Sequence, residues 1–226
     1  MKAPRAELAL LQEIGALFYA GKTSRDDARS SVIDVIFRRL QCARVSLWRF
    51  DGEPGALRLL CFASKVAGQS LVTAERWLQA SEYGAYFDGL VRDGTYISND
   101  AMADPNLQPM RDNYLAPNDI RSMLDAAFMV NGRAYGMVCC EQTRAIRAWR
   151  TAEVADLRAM VAKLAMLMTS AQDDVLWASP SLPMRPIAQT DFVHDAGPSG
   201  FGAGATSRPG FLDSGSGRRL DERRKS

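Results

Sequence analysis

Asn131-Gly132 limits the fold more than any other pair of residues in this chain. It separates two apolar runs, Met123 to Val130 and Ala134 to Glu141. An Asn-Gly pair accepts the positive backbone angles of a tight hairpin turn. A second pair of runs, Val45 to Phe50 and Leu57 to Ala63, is divided by Asp51-Gly52 and Pro54-Gly55, which predicts a hairpin with a longer loop. In its first strand Val45 and Leu47 face one way, and Ser46, Trp48 and Phe50 the other. Both faces are apolar, so the sheet is expected to be covered on both sides.

Helical spacing surrounds these strands. Arg5 to Tyr19 carries Leu8, Leu11 and Phe18 on one stripe and Leu10, Ile14 and Leu17 on the next, and Gly21 stops it. Ser24 is placed to cap a second helix, with Asp26 and Asp27 in its first turn and a core face of Ile33, Ile36, Phe37 and Leu40. A third helix is expected from Ser81 to the stop at Asp93-Gly94, then a brief strand at Tyr96-Ile97. Asp104-Pro105 opens a loop and a short helix ending by Pro117. Thr151 is placed to cap the last helix, whose Val154, Leu157, Val161, Leu164 and Met168 form a narrow seam suited to helix pairing. The order α-α-β-β-α-β-α-β-β-α predicts an α+β domain with a mainly antiparallel sheet and helices at both chain ends.

Composition bounds the rest. The chain has 226 residues, 47% hydrophobic and 24% charged, with a formal net charge of +2. That is an ordinary globular mixture, and no bulk field points to nucleic acid. The four cysteines, Cys42, Cys61, Cys139 and Cys140, include no C-x-x-C pair, and the only histidine is His194. Zinc-ribbon and thioredoxin chemistry are thereby excluded, and Ser-His or Cys-His catalysis would have to use His194. The apolar stretches are broken by Gln12 and Glu13 near the start and by Asp156, Arg158 and Lys163 near the end. No signal peptide or membrane insertion is therefore expected, and the expected location is the cytoplasm, with free thiols. Residues 171–226 hold five of the ten prolines and seven of the seventeen glycines, with isolated rather than periodic apolar residues. This composition predicts a disordered tail, with Val175, Leu176 and Trp177 able to dock as a helix extension.

Several segments taken in order resemble a known family. They are Ala80 to Phe87, Asp100-Ala101, Asp104-Pro105, Tyr114 to Pro117, Ile120 to Ala126, Asn131-Gly132, Gly136 to Glu141, and Trp149. Together they resemble the GAF domains of bacterial sensor kinases and cyclic-di-nucleotide enzymes, over about residues 25–170. The resemblance implies a GAF-like fold with the terminal helices packed together. It divides the chain into a signalling or dimerisation helix over 1–22, the domain over 23–170 and the tail over 171–226. It implies a small-molecule sensor without naming the molecule or any cofactor. The chain departs from the pattern in places. Cys140 and Gln142 stand where such domains often carry histidines, and Ala126-Ala127 follow Asp125 where an Ala-Pro pair is common. A bilin-attachment Cys-His pair and the cyclic-nucleotide pattern are both missing, and no histidine lies inside the domain to ligate haem.

The expected ligand site is a cavity between the sheet and the segment from Ser81 to Pro117. Its candidate residues are Trp48, Phe50, Tyr83, Phe87, Asp100, Tyr114, Ser122, Asp125 and Glu141. Pockets are apolar with a few polar groups, but the same aromatic residues serve equally to pack a helix on a sheet. Asp125, a carboxylate within a strand, must find a partner: a salt bridge to Arg121 or Arg111, or a ligand. Cys139 and Cys140 are read as small buried hydrophobes, with a redox-sensing thiol as the alternative. The expected protein is non-catalytic and acts as a homodimer or on a partner such as a kinase or cyclase. The alternatives are a ligand-free scaffolding dimer and a free methionine-(R)-sulfoxide reductase, an enzyme built on the same fold. Catalysis of that kind needs a nucleophilic cysteine on a pocket loop, whereas three of these four cysteines fall on expected strands.

Overall fold

A computed structural model describes residues 4–52, 56–73, 76–130, 133–169 and 176. The Asn131-Gly132 turn, Pro54-Gly55, His194 and nearly all of the tail lie outside the described residues, as does the Met168 side chain. Two helices open the chain, α1 (Arg5–Tyr19) and α2 (Arg25–Leu40), followed by β1 (Arg44–Asp51), β2 (Arg58–Val66) and β3 (Arg76–Gln79). Helix α3 (Gly84–Asp93), β4 (Thr95–Ser98), a 3-10 turn over Pro105–Met110 and a π-helical turn over Arg111–Leu115 come next. The long hairpin β5 (Ile120–Val130) and β6 (Arg133–Thr143) leads into α4 (Thr151–Thr169). The six strands form one antiparallel sheet in the order β3-β2-β1-β6-β5-β4.

Local chemistry accounts for most boundaries. The Ser24 hydroxyl accepts from the Asp27 amide at 3.1 Å and caps α2. Gly94, at φ 67°, ends α3 in the left-handed region that a side chain resists. The third helix begins at Gly84 rather than Ser81, whose hydroxyl turns back to Gln79 at 3.3 Å instead of capping. Thr151 is the first residue of α4; the capping bond comes from Glu153, which accepts from the Arg150 amide at 2.8 Å. Strand β3 was not expected: its four residues, Arg-Trp-Leu-Gln, are too few to show alternation.

Two apolar layers sandwich the sheet, as its two apolar faces require. On one face Val45, Leu47, Leu124, Ala126, Val138 and Cys140 pack against α1, α2 and α4. The α4 seam is spent here, with Leu157, Val161 and Leu164 buried within the chain's own core rather than offered to another helix. Gly15 of α1 permits close approach to α4: a Cβ there would sit 3.0 Å from Leu167 Cδ1. On the other face Trp48, Phe50, Met123, Met137 and Cys139 pack against α3 and the turns over 105–115. Cys139 and Cys140 point to opposite faces, as neighbours on a strand must. Among the described residues no helix is long and apolar enough to cross a membrane.

Candidate functional site

The face beneath α3 carries charge into an apolar layer. Period-two alternation along β1 puts Arg44 and Ser46 on the side of Trp48 and Phe50. Antiparallel pairing sets Arg44 opposite Glu141 of β6, Glu141 opposite Met123 of β5, and Cys139 opposite Asp125. Arg44 is nearly buried, and Glu141 and Asp125 are wholly so.

These charges are held by specific partners. Arg44 Nε lies 3.3 Å from Glu141 Oε2, and an Arg44 terminal nitrogen donates to Asn118 Oδ1 at 3.1 Å. The Asn118 amide donates to the Tyr114 carbonyl at 2.8 Å, and the Tyr114 hydroxyl donates to Glu141 Oε1. The guanidinium also lies over the Tyr114 ring, 5.7 Å from its centroid. A second group centres on Asp125, whose Oδ2 accepts from the Tyr86 hydroxyl at 2.8 Å. The Tyr86 ring meets Tyr96 and Phe87 edge-on at 5.0 and 5.9 Å. Asp125 therefore finds its partner in Tyr86; Arg121 and Arg111 instead pair with Asp119 and Asp112. Burial pushes the Asp125 carboxyl up to about 7, against the pull of the Cys139 thiol and the Tyr86 hydroxyl and with Glu141 adding to the push.

The satisfaction of this layer is incomplete. Asp125 Oδ1 and Glu141 Oε2 are buried without a hydrogen-bond partner, the latter only facing Arg44 as an ion pair. Unmade bonds of this kind are costly in a packed interior; Trp77 Nε1, Asn113 Oδ1 and Trp149 Nε1 also lack hydrogen-bond partners among the described residues, but the two carboxylate oxygens are the charged ones. The thiols are of the opposite character. Burial pushes the Cys61 thiol up to about 12 and the Cys139 and Cys140 thiols well above their usual range, which makes them poor nucleophiles.

Of the residues singled out from sequence, Trp48, Phe50, Tyr83, Phe87, Tyr114, Asp125 and Glu141 share this layer. Ser122 does not. Alternation along β5 puts it on the opposite face from Met123 and Asp125, where it accepts from the Arg147 amide at 2.7 Å and donates to the Asn99 carbonyl at 2.8 Å. Asp100 is also apart: it is half-buried in the loop after β4 and accepts from the Ala103 amide at 3.3 Å. Sequence reasoning passed over Arg44 and Asn118, although a charged residue in step with Trp48 and Phe50 was a readable signal. Between the sheet and the 81–117 segment, where a cavity was expected, lie the buried side chains of Tyr83, Tyr86, Phe87, Leu107, Met110 and Tyr114. Open space lies further out. A cleft of about 820 Å³ runs along α3 and β4 to Asn106, and another of about 450 Å³ lies beside Gly52 and Ser81. No cluster among the described residues could hold a metal ion.

Comparison with known proteins follows this architecture. A family model described as GAF domain matches residues 24–168. Among solved structures, the phytochrome photosensory core module of Stigmatella aurantiaca is similar, with a TM-score of 0.56 at 14% identity. That match covers 74% of this chain and 35% of the other, so this chain spans about a third of that module's length. The phycoerythrobilin-bound GAF domain of a cyanobacterial phytochrome gives a TM-score of 0.56 at 14% identity, over 71% of this chain and 93% of that one. The GAF domain of a phosphoenolpyruvate-protein phosphotransferase from Coxiella burnetii gives 0.52 at 17%, over 76% and 97%. No curated protein sequence matches significantly.

Proposed function

Because the chain belongs to the GAF domain family over residues 24–168, we propose that it is a non-catalytic sensory module of bacterial signal transduction. In this reading a small molecule binds in the layer between the sheet and α3. The carrying observation is that two buried carboxylate oxygens, Asp125 Oδ1 and Glu141 Oε2, point without hydrogen-bond partners into an aromatic layer that also holds Arg44. Polar groups of both signs inside an apolar shell are what orients a small ligand. The phycoerythrobilin-bound GAF domain shares the fold and holds a small molecule in it, which is in keeping with this reading. A covalently held bilin is not proposed, since all four cysteines are buried and none has a histidine beside it in sequence.

The signal passes to the helical face, and from there to a partner such as a kinase or cyclase or to a second copy of the chain. Leu17 and Tyr19 of α1 and Met166 of α4 are large apolar residues exposed on that side, and they support a homodimer. Light scattering at micromolar concentration tests it, and a monomer that persists on concentration rejects it. Thermal-shift screening with a metabolite panel tests the sensor. A ligand whose shift is lost in Arg44→Met or Asp125→Asn, but kept in the outward-facing Asp88→Asn, supports the assigned layer. The second reading is a ligand-free dimerisation scaffold. It is favoured by the close filling of the same layer by its own side chains, and it predicts that no metabolite shifts the melting midpoint.

A further inference from the structure

Asp125 sits where α3 and three strands meet. In the sheet it lies between Tyr96 of β4 and Cys139 of β6, and Tyr86 of α3 closes over it. The titratable and charged groups around it are Tyr86 from α3, Tyr96 from β4, Cys139 and Glu141 from β6, Tyr114 from the π-helical turn and Arg44 from β1. Arg44 is engaged with Glu141 and Asn118. The charged group that acts on Asp125 is Glu141, which has the same sign. An ionised Asp125 would therefore keep only a phenol and a weak thiol donor, with Oδ1 lacking a geometrically made hydrogen bond. A neutral carboxyl avoids the cost of a buried, poorly solvated charge.

We propose that the Tyr86–Asp125–Cys139 cluster is a proton-sensing site: Asp125 is protonated in the closed fold, and loss of its proton leaves a charge that only water admitted between α3 and the sheet can solvate. Deprotonation thereby loosens α3. Burial raises the carboxyl to about 7, which brings the transition into the near-neutral range. The unfolded chain holds this proton with a pKa of about 3.9, so between about 4 and 7 the folded state binds more protons than the unfolded one. Stability therefore falls as pH rises through that window and is level above it.

The inference rests on the sensory reading of this layer for its use, but its test needs no ligand. Infrared titration of the full-length protein follows the carbonyl band of a protonated carboxylic acid, which ordinary carboxylates lose near pH 4 or so, roughly at their unperturbed values. The expected band persists at about pH 6, disappears through about pH 7 and is missing in Asp125→Asn. Amide exchange over Gly84–Asp93, corrected for its intrinsic pH dependence, is expected to quicken severalfold across the same range in the wild type only. Tyr86→Phe removes the phenol donor and should raise the midpoint by about one unit, which keeps the proposal testable should the Asn variant not fold. A last carboxyl band lost near pH 4 in the wild type, or α3 exchange that tracks the intrinsic rate alone, overturns the proposal. Metabolite screening at fixed pH can fail without touching this result, and the reverse also holds.

Discussion

Arg44 and Glu141 face each other across the β1–β6 pair, and neither has water to fall back on. Removing one partner of a buried ion pair leaves an uncompensated charge, which costs about 3–5 kcal/mol. Arg44→Met is expected to lose about that much in urea unfolding, and Arg44→Met with Glu141→Gln should recover at least half of it. Glu153 behaves differently. Burial pushes its carboxyl up, but hydrogen bonds from the Arg150 side chain and amide and from Arg147 outweigh that and hold it down to about 2. A carboxyl held below its unfolded value stabilises the fold above about 4.5, and the contribution fades as pH falls towards about 2. Glu153→Gln should therefore cost about 2 kcal/mol near neutral pH and markedly less near pH 3 or so, compared by urea unfolding at each pH. At this scale the sequence showed which groups were unusual more readily than what they touch. Asp125 stood out as a carboxylate inside a strand, but its partner lies 39 residues away on α3, set by a packing that local spacing does not encode. Ser122 is a different case: it stands three residues from Asp125, so strand alternation alone already puts it on the other face. The register shift before Ser122 acts on Ile120 instead, bringing it onto the face of Met123, and nothing in the run Ile-Arg-Ser-Met announces it.

Among the elements, the terminal helices were the most legible, because fifteen or more residues repeat the helical period several times. The long hairpin followed from Asn131-Gly132 and the two apolar runs it divides. Strand β3 and the turns over 105–115 did not, since short pieces carry no period and are fixed by what they cover. The seam of α4 was readable as apolar but not as inward or outward. In the structure it meets β5 and α1, so any pairing with another copy must use the exposed flank that carries Met166. The α1–α4 contact has a narrow tolerance at Gly15, where the Leu167 side chain already stands in close contact with any added Cβ. Gly15→Ala offsets that contact with better helix propensity and should be near neutral. Gly15→Leu should overpack the contact and destabilise the fold by about 1–3 kcal/mol, read as a lowered urea midpoint with an unchanged slope.

At the scale of the whole molecule, the folded unit reaches past the last helix. Leu176 is buried, and its carbonyl accepts from Arg29 Nε of α2 at 2.9 Å, beneath which the guanidinium lies over the Phe62 ring at 4.5 Å. Burying a leucine side chain contributes about 1.5–3 kcal/mol. Truncation after residue 178 should leave the melting midpoint nearly unchanged. Truncation after residue 169 should lower it by about 4–10 °C, and equal midpoints for the two would show that this contact is idle. The larger question is whether events in the aromatic layer reach the helices on the far side of the sheet. Hydrogen exchange by mass spectrometry, on the full chain with and without the metabolite that shifts the melting midpoint most, reads both sides at once. The expected result is slower exchange in α3 and in Arg111–Leu115 together with altered exchange in α1 or α4. A bound metabolite that leaves Arg111–Leu115 and both terminal helices unchanged, or a panel in which nothing binds, would contradict the sensory account and leave a scaffold.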